Sequence, residues 1–135
     1  MADGFEALLP GGIHPPFSRY SHGIAVPEGA RLVACSGQLG IDAEGEVPEG
    51  AEAQTRLALT NLAAVLAEAG LGLGDVVRLN AYVTGREHLA GYMKARNAAF
   101  ADVHPAPAST LMIVSGFARE EFVVEIECIA AGRAG

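Results

Sequence analysis

The stretch Phe122-Val123-Val124-Glu125-Ile126-Glu127-Cys128-Ile129-Ala130 decides how this chain folds. Successive side chains of a strand point to opposite faces. Phe122, Val124, Ile126 and Cys128 therefore make one unbroken apolar face, and Val123, Glu125, Glu127 and Ile129 make the other. Two carboxylates in an otherwise apolar row suit neither a wholly solvated face nor a double-sided core. The pattern predicts a strand whose second face borders a wet, partly enclosed cleft. The competing reading is an ordinary half-exposed antiparallel strand.

Moving back from that strand, residues 115–121 read as a turn and residues 109–114 as another strand. His104-Pro105-Ala106-Pro107-Ala108 is a stiff, extended lead into it, because proline fixes φ, lacks a donor and pushes its predecessor out of the helical region. Residues 87–101 carry Leu89, Tyr92, Met93, Arg96 and Phe100 along one helical stripe, and the four apolar members read as core. Residues 76–84 alternate, with Val77, Leu79, Ala81 and Val83 on a dry face and Val76, Arg78, Asn80 and Tyr82 on a mixed one. Residues 51–69 form the longest predicted helix, with Thr55, Ala58, Leu59, Leu62, Ala63 and Leu66 at helical spacing and a glycine stop at Gly70. Further upstream, residues 23–26 and 31–36 read as a hairpin around the turn at 27–30. Residues 1–19, with three prolines and no period, read as an irregular lead-in to a single domain over 20–135.

The order is β-β-α-β-α-β-β. Right-handed crossovers lay both helices on one face of a mixed sheet. The other face, holding Glu125 and Glu127 among apolar neighbours, is left uncovered, which is unfavourable at roughly 25 cal/mol per Å2 of apolar surface. A closed homo-oligomer with clefts between subunits is therefore expected.

Composition narrows the function. The 135 residues are half apolar and 19 % charged, with no apolar run of membrane-spanning length, as in a soluble globular protein. Acids near the N-terminus, where a secretory signal carries bases, and only two cysteines, Cys35 and Cys128, point to the cytoplasm and to packing thiols. A net charge of −7 with scattered bases argues against nucleic acid, and disfavours anionic ligands unless a local cation intervenes. His14, His22, His88 and His104 lack metal-ligand spacing and no phosphate-cradling glycine loop is present, so neither a metal nor a nucleotide is expected. In Ser36-Gly37-Gln38, a glycine at a strand end either frees an N–H for a ligand or marks a bulge.

Taken together, Tyr20-Ser21-His22-Gly23, Cys35-Ser36-Gly37-Gln38, Gln54-Thr55-Arg56 through Asn61-Leu62, Asp75-Val76-Val77, Tyr82-Val83-Thr84 and the run from Val124 to Ala130 resemble one family: the Rid (reactive intermediate deaminase) proteins, also called YjgF-like or L-PSP endoribonuclease-like. The resemblance implies a chorismate-mutase-like α+β fold, a homotrimer, and small-molecule sites at subunit interfaces. It also implies cofactor-free hydrolysis of enamines and imines such as 2-aminoacrylate to a 2-keto acid and ammonia. On this resemblance Glu125 is the acid that positions or activates water, Tyr20 lines the pocket and Gly37 offers its N–H; Ser36, Ala108 and Ser109 are the further substrate-binding positions expected. One position departs from the family. Deaminating members read Pro-Ala-Arg-Ser where this chain reads Ala106-Pro107-Ala108-Ser109, so the arginine that grips the substrate carboxylate is replaced by Ala108. A charge-assisted contact of that kind contributes roughly 1.5 to 3 kcal/mol. Altered specificity, away from a simple 2-imino acid, is expected, with Arg19 and Arg119 as candidate substitutes. The alternative is a non-catalytic ligand-binding or protein-interaction trimer. Ribonuclease action, the family's other label, is opposed by the acidic balance.

Overall fold

The computed structural model describes residues 4–132. Its strands are β1 (Glu6–Leu8), β2 (Gly23–Ala25), β3 (Arg31–Leu39), β4 (Val76–Val83), β5 (Ala108–Ile113) and β6 (Val124–Gly132); its helices are α1 (Ala51–Ala67) and α2 (Leu89–Ala99). The main sheet runs β3-β6-β4-β5, with β6 antiparallel to both neighbours and β4 parallel to β5. The decisive strand thus lies at the centre of the sheet. Its apolar side, Val124, Ile126 and Cys128, packs with Leu79, Ala81 and Val83 beneath Leu59, Leu62 and Leu66 of α1 and Tyr92 and Phe100 of α2. This is the predicted α+β arrangement, two helices on one face of a mixed sheet. Among the described residues no helix is long and apolar enough to cross a membrane.

Helix α1 ends as its glycine predicts: Gly70 takes φ 74° and the Leu71 N–H returns to the Leu66 carbonyl at 3.0 Å. Gly40 permits the close approach of β3 to that helix, since a Cβ there would stand 2.6 Å from the Gln54 Cα. Gln54 itself is buried and fully engaged. It donates to the carbonyls of Pro48 (3.0 Å) and Glu121 (2.8 Å) and accepts from the Val123 N–H (3.0 Å), tying two loops to α1.

Three details differ from the sequence reading. The 23–26 segment does not form a hairpin with β3. Instead β2 pairs antiparallel with β1, Glu6 opposite Ala25 and Leu8 opposite Gly23, so the lead-in over 1–19 is not wholly irregular. A three-residue strand is too short to show a period, and β3 spends its hydrogen bonds on β6. Strand β3 also continues to Leu39 through a bulge between Cys35 and Gln38. A second irregularity, between Val76 and Arg78, reverses the local alternation and places Val76 in the core.

The face away from the helices carries Glu125 and Glu127 on β6, Arg78, Asn80 and Tyr82 on β4, and Ala108, Thr110 and Met112 on β5. Apolar groups lie among them uncovered: Leu32 is 61 % exposed, Met112 55 % and Ile129 39 %.

Candidate functional site

Register sets the acid face out in rows. Tyr82 stands beside Glu125, Asn80 beside Glu127, and Arg78 beside Ile129; on the other flank of β4, Met112, Thr110 and Ala108 oppose the same three residues. The two glutamates are held differently. Glu127 Oε2 accepts from the Tyr82 hydroxyl at 2.9 Å and from Asn80 Nδ2 at 3.1 Å. That hydrogen bond to Glu127, followed by burial and the charges of Glu127 and Glu125, holds the Tyr82 phenol above its ordinary value, against a lowering by Arg78. Glu125, by contrast, accepts no hydrogen bond among the described residues, and neither carboxylate is in a salt bridge there.

Gly37 sits in the β3 bulge directly against the free carboxylate. A Cβ at this position would lie 2.6 Å from Glu125 Oε2 and 2.8 Å from its Cδ. Gly37 thus marks a bulge, and the irregularity brings bare backbone up to an acid. Ser36 is exposed in the same bulge. A hollow of about 240 Å3 lies beside Glu127, bounded also by Ala34, Asn80 and Ile129. Both glutamates are half-buried, and the face is neither flat nor closed.

The structure divides the predicted residues into two groups. Glu125, Gly37 and Ser36 belong to the acid face, and Ala108 joins that face by its register with Arg78. Ser109 pairs with core Leu79, so it points to the helix side, away from Glu125. There it lines a second hollow of about 270 Å3 with Ser18, Tyr20, Met93, Arg96 and Leu111. Tyr20 arrives there because its neighbour Ser21 bridges to Ala108 and donates its N–H to the Pro107 carbonyl at 3.1 Å. The Tyr20 hydroxyl accepts from the Phe17 N–H at 3.1 Å.

Neither Arg19 nor Arg119, the two candidate cations, is free. Arg19 caps the end of α2, donating to the carbonyls of Phe100, Ala101 and Val103. Arg119 lies 3.7 Å from Glu121 and over the Phe122 ring at 4.7 Å. The cation that does neighbour Ala108 is Arg78, whose Nη2 donates to Thr110 Oγ1 at 2.7 Å. Its place on the mixed face of β4 follows from the alternation of residues 78–83, but the strand pairing that sets it beside Ala108 does not.

The sequence and the fold have counterparts among known proteins. A family model described as Endoribonuclease L-PSP matches residues 13–132. The 2-iminobutanoate/2-iminopropanoate deaminase of Escherichia coli is 33 % identical over 105 residues, covering 76 % of this chain and 80 % of that protein. The mitochondrial protein mmf1 of Schizosaccharomyces pombe is 34 % identical over 100 residues, 73 % of this chain, which spans only 61 % of mmf1. Among solved structures, YyfB of Yersinia pestis, from the conserved Rid protein family, superposes with a TM-score of 0.81 at 32 % identity, covering 94 % of this chain and 98 % of that one.

Proposed function

This chain belongs to the Endoribonuclease L-PSP family, that of the Rid proteins, and from that premise we propose that it hydrolyses a small imine or enamine, with Glu125 directing the attacking water. The observation that carries this is the contrast between the two acids. Glu127 is committed to Tyr82 and Asn80, whereas Glu125 keeps its carboxylate free and pressed against the bare backbone of Gly37. Hydrolysis of an imine needs that combination: a carboxylate to take a proton from water as it adds to the C=N carbon, and to return it to nitrogen as ammonia leaves and the carbonyl forms. The Gly37 N–H is the candidate donor toward charge developing on the ligand. The name of the Escherichia coli deaminase supports the substrate class.

The site is completed in this reading by a homotrimer, whose neighbouring copy covers the acid face. The exposed Leu32, Met112 and Ile129 support such cover, as apolar groups scattered around half-buried acids are poorly suited to bulk water. Light scattering behind size exclusion tests this part, and a monomer at micromolar concentration refutes it.

The chemistry is tested by keto-acid release from 2-aminoacrylate generated in situ, comparing the native chain with Glu125→Ala and Ala108→Arg. A loss of 10^2- to 10^4-fold in Glu125→Ala is expected for a general base. Equal turnover in native protein and Glu125→Ala removes Glu125 from this role. Absence of turnover in both the native chain and Ala108→Arg leaves a ligand-binding trimer as the better reading.

A further inference from the structure

Arg96 is a buried cation to which the chemistry above gives no task. It lies in the apolar stripe of α2 and is 4 % exposed, with a guanidinium that stays charged. Its Nη2 donates to Ser18 Oγ at 2.7 Å and to Asn97 Oδ1 at 3.0 Å, its Nε reaches the same Asn97 oxygen at 3.2 Å, and its Cζ is 5.6 Å from the centre of the Tyr92 ring. All of these partners are neutral. Among the described residues no carboxylate comes within ion-pair distance of it, and its Nη1 makes no hydrogen bond. Burial of a charge without a counter-charge is unfavourable unless something else supplies one. In a chain with 16 acidic residues, the lack of an acid here is informative.

Arg96 faces the hollow that it shares with Ser18, Tyr20, Met93, Ser109 and Leu111. The buried Tyr92 phenol, whose ring the Arg96 guanidinium overlies, is held up by burial and drawn back by Arg96 and then by the Ser109 hydroxyl, so it is engaged with these same two side chains. A buried cation, the Tyr20 ring and two serine hydroxyls thus surround space suited to a few heavy atoms. Met93 and Leu111 give the same space apolar walls.

We propose that this hollow is a carboxylate subsite, in which Arg96 holds the acid group of a small monoanionic ligand and so stands in for the arginine missing at Ala108. The assignment deepens the hydrolase reading and rests on it for the identity of the ligand. A single cation beside apolar walls matches a monoanion better than a doubly charged phosphate, which favours several cations or a helix N-terminus. Arg96 and Glu125 lie on opposite sides of one sheet. A ligand touching both is therefore enclosed by two copies of the chain, the hollow of one against the acid face of the next.

The test is binding of 2-oxobutanoate, read by calorimetry and by the Nε–H resonance of Arg96, with 2-oxobutanamide and inorganic phosphate as comparators. The native protein is expected to bind 2-oxobutanoate, to shift the Arg96 resonance, and to bind the neutral amide at least tenfold more weakly. Arg96→Met is expected to weaken 2-oxobutanoate 10- to 100-fold, the loss of one charge-assisted contact, with Arg96→Lys intermediate. Should Arg96→Met fold poorly, Leu111→Trp fills the hollow while keeping the cation and is expected to weaken binding similarly. Unchanged affinity in both variants, or tighter binding of phosphate than of 2-oxobutanoate, overturns the subsite. Loss of binding in Arg96→Met with full turnover in Glu125→Ala overturns the water-directing role alone.

Discussion

Substituting Gly37 with alanine isolates the contact on which the proposed chemistry turns. The new Cβ would lie 2.6 Å from Glu125 Oε2, 2.8 Å from Cδ and 3.0 Å from Cγ, whereas ordinary contacts begin near 3.4 Å. The carboxylate has to retreat by about 0.8 Å, the shortfall between 3.4 and 2.6 Å. Glu125 has no hydrogen bond to break among the described residues, so the retreat requires only an altered rotamer, costing about 0.5–1.5 kcal/mol. A misplacement approaching 1 Å at a reacting group, however, lowers turnover by about 10^2-fold. Gly37→Ala is therefore expected to melt within a few degrees of the native protein while losing about two decades of 2-aminoacrylate hydrolysis. Melting is followed by circular dichroism and turnover by coupled keto-acid release. Turnover within threefold of native, in a variant that melts normally, refutes the argument that Gly37 and Glu125 form one site.

Two further expectations concern the scaffold. Gln54→Leu leaves the Val123 N–H and the Pro48 and Glu121 carbonyls without their buried partner; with the loop carbonyls partly recovered by water, the cost is about 2–4 kcal/mol, read from urea unfolding. A loss below about 0.5 kcal/mol shows the strap to be dispensable. Burial, and then the neighbouring Cys35, push the Cys128 thiol from 9.0 up to about 12. The folded state thus favours the protonated thiol, so this contribution to stability is fully present below pH 9 and is lost as pH rises from 9 toward 12. Native protein at pH 8 is expected to resist thiol reagents that label both cysteines after unfolding, and rapid native labelling of Cys128 contradicts the assignment.

The parts of the fold legible in the sequence were those with a long, uninterrupted period. The β6 alternation identified a strand and its acid face, though not its place inside the sheet, and Gly70 marked the end of α1. Signals failed where local pattern and partner choice separate. Nothing in Glu6–Leu8 announces its pairing with β2, and a bulge at Val76 breaks an otherwise regular alternation. For the site, residue identities were readable but sidedness was not, because Ala108 and Ser109 are adjacent in sequence and face opposite ways. Arg96 did leave a trace. It occupies a helical stripe otherwise made of Leu89, Tyr92, Met93 and Phe100, and a cation at such a position signals either a buried partner or a ligand.

The central place of β6 also orders how the molecule comes into being. Its two flanking strands, β3 and β4, are translated well before it, and neither has its full complement of backbone partners until residues 124–132 have left the ribosome. Before β6 is available, β3 is a lone strand and β4 has only β5 beside it, and both present raw edges of the kind that chaperones recognise and that adhere to one another. Pairing of β6 joins β3 to the β4-β5 pair in one step, so the sheet exists only once the strand latest in sequence is in place.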